Sequence, residues 1–388
     1  MATARIEEMR LRHFRAFADA RLRLDDLTVL VGRNGAGKTS LMLALDFLRD
    51  AVTDSLVSAL ARRGGVQGIR QRQRAGKPYD VALALVLRAE GQRVAYGFVV
   101  GPSNDGNGFL VKEEFLRAEV GPSFHRKAQA FSSDNADVRP KLSREALLLP
   151  VVAGQDPLWT AALSTIRKAR AYCLSPATIG SEPEIGSSHW LARDGGNAGD
   201  VLKRIESAPA VMKWLVRHLS AVTPGILAVH AVDTVIGRRL IYFQQDVAGG
   251  IQEFASGHMS DGTLRCLGIL LALRQRSAPS LVFVDEIEDS IHPAALGTLL
   301  DAINSSLDRC QVIITSHSPE ALTHPAVTAA RVRIVDWRDG VSRIYAVAPE
   351  VAGTLRPPES VGRLLRSNAL WPADGPSEVG PDFFGLPA

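Results

Sequence analysis

The pattern of apolar and polar positions near the N-terminus predicts strands that lead into a glycine turn and a helix. Residues 21–24 alternate between polar and apolar side chains, and residues 27–31 form a short, mostly apolar run that ends at a glycine. From residue 38 to residue 48, apolar side chains recur at the spacing of one helix face. A glycine-rich turn therefore stands directly before a helix.

Three apolar runs that read as strands follow. They cover residues 79–87, 93–100 and 109–118, and the segments between them contain Gly, Asn or Asp. Because such turns join neighbouring strands, we expect an antiparallel sheet here. The pattern is then mostly helical from about residue 142 to residue 220.

After Gly262, short apolar runs alternate with helical patterns. The predicted helices cover residues 263–275 and 294–307, and the predicted strands cover 281–284, 312–315 and 332–335, with an earlier strand pair at 226–235 and 239–244. Such alternation predicts a parallel sheet, so we expect an α/β fold. We divide the chain into an N-terminal lobe (1–118), a mainly helical insertion (119–225), a C-terminal lobe (226–348) and a proline-rich tail (349–388).

Composition narrows the class of protein. Of the 388 residues, 46% are hydrophobic, which is enough for a sizeable core and excludes a mainly disordered chain. Apolar runs such as residues 81–87 fall far short of the roughly 18 residues of a membrane span, and no secretory signal is visible. The three cysteines are widely separated, which fits a reducing, cytoplasmic setting. A net charge of +4 permits an acidic partner but does not argue for one.

Residues 32–39 read Gly-Arg-Asn-Gly-Ala-Gly-Lys-Thr, which fits the phosphate-binding pattern G-x-x-x-x-G-K-S/T. The glycines let successive N–H groups face one point, and the following helix adds its positive N-terminal end. Lys38 can reach the β- and γ-phosphates, and the Thr39 hydroxyl can ligate Mg²⁺. The candidate nucleotide-binding residues are Gly32, Arg33, Asn34, Gly35, Ala36, Gly37, Lys38, Thr39 and Ser40.

Two acids end the apolar run at residues 281–284. A carboxylate at the C-terminal end of a strand lies at the ligand edge of a parallel sheet. We expect Asp285 to hold Mg²⁺ and Glu286 to orient and deprotonate the attacking water. Glu288 and Asp289 continue the acidity, and we expect them to have a mainly structural or D-loop role.

Three further segments complete a recognisable order of motifs. Residues 259–263 (Met-Ser-Asp-Gly-Thr) precede an apolar helix, residues 288–293 (Glu-Asp-Ser-Ile-His-Pro) follow the acids, and residues 315–319 (Thr-Ser-His-Ser-Pro) end the next strand. With the phosphate loop and the acidic strand, this set resembles the ABC-type ATPase heads of the SMC, RecF and OLD (overcoming lysogenization defect) families. The chain is most similar to standalone bacterial AAA-family ATP-binding proteins without a nuclease domain.

The resemblance implies a P-loop ATPase head that hydrolyses ATP with Mg²⁺ and forms a homodimer around the nucleotide. Ser260 and Gly262 would form the signature that contacts the γ-phosphate on the partner chain, and His317 would bond the γ-phosphate or the attacking water. Arg15 matches an N-terminal arginine that touches ATP in some relatives. Asp261 replaces a glycine of transporter signatures, and we expect it to cap its own helix or to pair with Arg265.

The sequence also excludes some relatives and leaves others open. Prolines interrupt the insertion, so no SMC-like arm is expected, and too little chain follows the last strand for a nuclease domain. The basic run at residues 62–77 makes DNA a possible partner. No Q-loop glutamine can be placed, although Gln67, Gln71 and Gln73 are candidates.

Two hypotheses about function remain. In the first, an ATP-driven dimer acts as a switch for a separate effector, such as a nuclease in antiviral defence or repair. In the second, the chain is a RecF-like DNA-binding protein of DNA repair with slow ATP turnover.

Overall fold

The structure is a computed structural model, and it describes residues 4–72, 79–103, 108–141, 143–348, 361–366, 375–380 and 382–386. These residues form two compact units. Unit 1 comprises the described residues of 4–169, 330–348 and 375–386, and unit 2 comprises those of 170–329 and 361–366.

The elements are numbered along the chain. The strands are β1 Arg5–Phe14, β2 Phe17–Arg23, β3 Leu27–Val31, β4 Val81–Ala89, β5 Gln92–Pro102, β6 Phe109–Ala118, β7 Phe124–Lys127, β8 Ala130–Ser133, β9 Ala169–Tyr172, β10 Ile226–Asp233, β11 Arg239–Val247, β12 Gly250–Ala255, β13 Leu281–Val284, β14 Gln311–Ser316, β15 Val332–Arg338 and β16 Val341–Ala346. The helices are α1 Lys38–Thr53, α2 Leu56–Ala61, α3 Gly65–Ile69, α4 Leu149–Val152, α5 Pro157–Arg167, α6 Pro176–Ile179, α7 Ala198–Ile205, α8 Pro209–Val222, α9 Asp261–Arg274, α10 Pro293–Asn304 and α11 Val361–Arg366. Short 3-10 turns lie at Ala153–Gln155, Ser256–His258, Ala321–Thr323 and Ala329–Arg331.

Unit 1 is built on a mixed sheet with the strand order β8-β7-β6-β5-β4-β1-β2-β16-β15-β3. The strands from β2 through β1 and β4 to β8 pair with antiparallel neighbours, which confirms the antiparallel sheet predicted for residues 79–118. At the other end of this order, β15 runs parallel to β3 and antiparallel to β16. The strand that leads into the glycine turn therefore has β15 beside it.

Helix α1 packs its apolar face into unit 1. Leu41, Met42 and Leu45 are buried along it, and the ring of Phe47 lies between those of Phe14 and Phe98 at centroid distances of 6.3 and 6.1 Å. Each such side chain contributes about 1.5–3 kcal/mol through burial. This packing fixes the start of α1 directly after the glycine turn.

The described residues of the tail pack onto the sheet of unit 1. Phe383 is fully buried against small residues of β4 and β5 and against Phe115 of β6. Arg10, on β1, is also buried and donates to the carbonyl groups of Phe383 and Gly385 at 2.8 and 2.5 Å. The last described residues thus cover an apolar face that β4 to β6 would otherwise expose.

In unit 2, β13 lies between β9 and β14 and runs parallel to β14. Helix α10 connects these two parallel strands, as a crossover must. Strands β13 and β14 are buried along their whole length, as the apolar pattern predicts. A separate antiparallel sheet of β10, β11 and β12 precedes α9.

Several elements differ from the sequence expectations. The predicted helix at residues 294–307 ends at Asn304. The sequence did not indicate β12, whose first four residues are exposed, or the polar hairpin of β7 and β8 within the insertion. Strands without an apolar face give no alternation to detect. None of the described helices combines the length and the apolar character that a membrane crossing requires.

Candidate functional site

The glycine turn between β3 and α1 uses backbone conformations that other residues rarely adopt. Gly35 and Gly37 have φ angles of 79° and 111°, and Gly37 is the N-cap of α1. Space is also limited at two positions. A Cβ at Gly32 would lie 2.1 Å from the carbonyl oxygen of Val335, and one at Gly37 would lie 2.5 Å from Ser342 Oγ. The neighbouring strands β15 and β16 therefore make glycine necessary in this loop.

Lys38 closes the loop from inside. Its side chain is largely buried, and Nζ donates to the carbonyl oxygens of Gly32 at 2.6 Å and Arg33 at 3.2 Å. Arg33, Asn34, Gly35 and Thr39 are exposed, so the outer surface of the turn is open to a ligand. An ammonium group beside a glycine turn, at the N-terminus of a helix, attracts phosphate.

A cavity of about 350 Å³ lies beside this loop in unit 1. It is lined by Arg33, Asn34, Gly35, Ala36, Asp336 and Trp337. Trp337 is half exposed, and Asp336 accepts from Arg338 Nε at 2.6 Å and from the Trp337 N–H at 2.9 Å. Sequence reasoning missed Asp336 and Trp337, because only the pairing of β15 with β3 brings them to the loop.

The two acids after β13 are held in unit 2 by the end of β14. The Thr315 hydroxyl donates to Asp285 Oδ1 at 2.7 Å and accepts from the N–H of Glu286 at 2.7 Å. Glu286 has a φ angle of 50°, which a residue other than glycine adopts only when its surroundings hold it there. Thr315 thus fixes both acids, a role that no local sequence signal indicates.

Arg265 holds the backbone of the same two acids. This arginine of α9 is buried, and its Nη2 donates to the carbonyl oxygens of Asp285 and Glu286, each at 2.8 Å. It also pairs with Asp289 at 3.4 Å. The expected pairing of Arg265 with Asp261 is therefore wrong, because the guanidinium is directed at the strand end instead.

The signature segment begins α9. Ser260, which is exposed, caps the helix, and its Oγ accepts from the Thr263 N–H at 3.2 Å. The expectation that Asp261 caps this helix is thus also wrong, although its charge in the first turn suits the helix dipole. A Cβ at Gly262 would lie 2.6 Å from the carbonyl oxygen of Ser290, so Gly262 lets α9 approach the segment after the acids.

His317 follows β14 and pairs with Glu288. Glu288 Oε1 lies 2.9 Å from His317 Nδ1 and accepts from the His317 backbone N–H at 2.6 Å. The His317 side chain is 55% exposed and that of Glu288 only 12%. Glu288, for which we expect a structural or D-loop role, thus contacts both the backbone and the ring of His317.

Arg15 lies in unit 1 at the turn between β1 and β2, with a φ angle of 47°, and its Nη1 donates to the Gly68 carbonyl at 3.4 Å. The basic run next to it is partly neutralised, because Arg62 and Arg63 pair with Asp54 and Asp50 at 2.5 and 2.7 Å. Of the Q-loop candidates, Gln67 is exposed and Gln71 bonds His13 at 3.5 Å. Gln73, Arg74 and Lys77 lie outside the described residues.

The structure thus gathers the predicted residues into two groups. Unit 1 holds the phosphate loop with Lys38, Thr39 and Ser40, and the turn of Arg15. Unit 2 holds the acids, the signature and His317, linked through side chains of Thr315, Arg265 and Glu288. Within the described residues, no cluster of three or more His, Cys, Asp or Glu side chains could hold a metal by itself.

The chain is similar to known proteins in sequence and in fold. A family model described as "AAA domain, putative AbiEii toxin, Type IV TA system" matches residues 27–323. The chain is also 22% identical over 358 residues to the Old nuclease of Escherichia phage P2. This match covers 83% of the chain and 58% of the nuclease, so the chain spans little more than half of the length of that relative.

Two solved structures share the fold. One is the SMC head bound to the C-winged helix domain of ScpA, with a TM-score of 0.53, 15% identity and coverage of 90% of this chain and 99% of that one. The other is the SMC head with an extended coiled coil, bound to the C-terminal domain of ScpA, from Pyrococcus furiosus. It has a TM-score of 0.54, 13% identity and coverage of 90% and 98%. The predicted α/β fold of a P-loop ATPase head is thereby confirmed.

Proposed function

The chain belongs to the family described as AAA domain, putative AbiEii toxin, Type IV TA system, and from this premise we propose that it binds ATP with Mg²⁺ and hydrolyses it to ADP and phosphate. The observation that carries this proposal is the phosphate loop itself. Lys38 lies inside a turn of glycines that no side chain could replace at Gly32 or Gly37 without a clash. The outer surface of the turn is exposed and lies at the N-terminus of α1, so it is suited to bind an anion.

The chain offers oxygen donors of the kind that Mg²⁺ binds. Mg²⁺ prefers hard oxygen ligands and usually takes one or two carboxylates together with substrate phosphates. We assign the Thr39 hydroxyl and the Asp285 carboxylate to it. When bound, Mg²⁺ neutralises charge on the β- and γ-phosphates.

The remaining roles follow from the contacts in unit 2. Glu286 accepts a proton from the water that attacks the γ-phosphate, and Thr315 and Arg265 hold its backbone in place for this. His317 contacts the γ-phosphate or that water through its exposed ring. Arg15 adds a further contact to the nucleotide in this proposal.

Lys38→Ala tests the phosphate loop. The substitution removes charge-assisted hydrogen bonds to the phosphates, so we expect the Kd for MgATP to rise roughly 10- to 100-fold. Isothermal titration calorimetry measures this change, and circular dichroism establishes that the variant is folded. Lys203→Ala, which removes a half-exposed lysine of α7, is the matched control. Equal affinity of wild type and Lys38→Ala would refute the assignment of the loop.

We further propose that ATP joins two copies of the chain head to tail, and that this dimer acts on a separate effector. The exposed N-terminus of α9, with Ser260 and Gly262, would contact the γ-phosphate bound to the other copy. That a solved SMC head is bound to ScpA supports the idea of a separate partner protein. DNA is the weaker alternative, since Asp50 and Asp54 already neutralise part of the basic run.

Glu286→Gln tests the dimer. Without the carboxylate that accepts the proton, ATP is bound but not cleaved, so we expect the variant to accumulate as a dimer in saturating MgATP. Light scattering after size-exclusion chromatography measures the mass, and the mass should double only with the nucleotide. The double variant Lys38→Ala/Glu286→Gln should remain monomeric. A Glu286→Gln protein that binds ATP and still has the mass of one chain contradicts the dimer proposal.

A further inference from the structure

Glu288 makes two contacts to the same histidine with one oxygen. Its Oε1 accepts from the backbone N–H of His317 at 2.6 Å and lies 2.9 Å from Nδ1 of the same residue. The backbone contact holds the main chain of His317 next to Glu288, and the ring contact holds Nδ1 on the side of the carboxylate. The two contacts together place Nδ1 of the ring beside the carboxylate.

The chemistry of the pair also selects a tautomer. A carboxylate oxygen repels the lone pair of an unprotonated ring nitrogen, so a separation of 2.9 Å favours a proton on Nδ1. Nε2 is then the ring atom that remains for a ligand. A histidine without such a partner would distribute its proton over both nitrogens.

Burial divides the roles of the two residues. The imidazole is 55% exposed and can be reached by a ligand, whereas the carboxylate is 12% exposed. Glu288 belongs to the segment after β13 and His317 to the segment after β14, so the pair joins the ends of two parallel strands. Next to it, Thr315 joins the same strand ends through Asp285 and Glu286.

We propose that Glu288 is a positioning residue for ATP hydrolysis, which holds His317 in the Nδ1–H tautomer and presents Nε2 to the terminal phosphate or the attacking water. This inference rests on the proposed function and deepens it, since it assigns to Glu288 an action through His317 rather than on the nucleotide. The proposal does not change the roles given to Asp285, Glu286 and Arg265 at the end of β13.

The first test measures the tautomer and needs no turnover. In protein labelled with ¹⁵N-histidine, the signals lost in His317→Ala identify His317. We expect wild-type His317 to carry its proton on Nδ1 when the ring is neutral, and Glu288→Ala to shift it towards the Nε2–H form. A wild-type ring already in the Nε2–H form, or a tautomer unchanged in Glu288→Ala, overturns the inference.

The second test is a mutant cycle in ATP hydrolysis. We expect Glu288→Ala to lower kcat about 10-fold or more with little change in KM. Glu288→Gln should retain more activity, because its amide oxygen can still accept from the His317 backbone N–H and lie beside Nδ1. In the His317→Ala background, Glu288→Ala should have no further effect. Equal losses in both backgrounds, or a full kcat in Glu288→Ala, would show that Glu288 does not act through His317.

The chain offers a matched control. Asp301 and His324 form another carboxylate–histidine pair in unit 2, with 3.1 Å between Oδ1 and Nε2. Asp301→Ala should leave kcat unchanged, and a comparable loss in that variant would overturn the specific role of Glu288. If the wild type itself hydrolyses no ATP, the proposed function fails, and the tautomer measurement still decides whether Glu288 positions His317.

Discussion

Glu114, on β6, is fully buried and accepts three hydrogen bonds, from Tyr96 Oη and from the backbone N–H groups of Leu148 and Leu149. Removal from water outweighs these bonds and raises the pKa of Glu114 from 4.5 to about 7. Between these two pH values the folded chain therefore binds more protons at this site than the unfolded chain does. The contribution of Glu114 to the free energy of unfolding falls as the pH rises through this window.

Glu114→Gln should remove this pH dependence. The difference in pKa corresponds to at most roughly 3 kcal/mol of unfolding free energy. Urea unfolding at about pH 4.5 and about pH 7 measures it. The wild type should have a larger free energy of unfolding at the lower pH because of Glu114, and this difference between the two pH values should be smaller in the variant. Glu119→Gln, which changes an exposed carboxylate just after the same strand, should follow the wild type. Parallel pH curves for Glu114→Gln and wild type would contradict the prediction.

Substitutions at two glycines of the phosphate loop allow the cost of backbone strain to be compared with that of steric overlap. Both have positive φ angles, but a Cβ would meet open space at Gly35 and Ser342 Oγ at Gly37. We expect Gly35→Ala to lower the free energy of unfolding by about 1 kcal/mol and Gly37→Ala by about 2 kcal/mol or more. Chemical unfolding of the two variants side by side measures the difference. Equal losses of unfolding free energy would mean that the Ser342 side chain moves away from the new Cβ at no cost.

At the scale of elements, the sequence predicts those segments whose local pattern and tertiary role agree. Strand β3 and strand β13 have the predicted bounds, because an apolar run ended by a turn or by acids is a signal contained within the run. Helix α1 begins at Lys38 as predicted, since the glycines before it cannot extend a helix. The order of motifs also gave the ATPase head, although the roles of the individual residues stay predictions.

Other features depend on contacts between distant segments and leave no local pattern. The motifs include Thr315 and Glu288, but their contacts cannot be predicted from the sequence. Only the pairing of β13 with β14 and the packing of α9 bring Thr315, Arg265 and Glu288 to the segment of the acids. Trp337 reaches the phosphate loop in the same way, through the pairing of β15 with β3. Asp261 shows the opposite error. A local spacing rule predicted its pairing with Arg265, but the Arg265 guanidinium bonds the end of β13 and Asp289 instead.

At the scale of the whole molecule, the tail contributes to the stability of unit 1. Phe383 is fully buried, and the Arg12 guanidinium lies 4.8 Å from the centre of its ring. Phe383→Ala leaves a cavity against β4 to β6, so we expect a loss of about 3–5 kcal/mol in the free energy of unfolding. Chemical unfolding measures it, with Glu378→Ala, an exposed residue of the same segment, as the control. A loss as small as that of the control would mean that the tail does not stabilise the sheet.

The contacts of Arg10 have a consequence for how the chain folds during its synthesis. Its guanidinium needs carbonyl groups that lie 373 and 375 positions later. At about 5–20 residues per second, a ribosome takes roughly 20–75 s to make that length of chain. From the completion of β6 until the tail is made, the apolar face of β4 to β6 has no cover, and a chaperone can bind to it. A ribosome that stalls late would hold a nascent polypeptide whose first unit still lacks this cover.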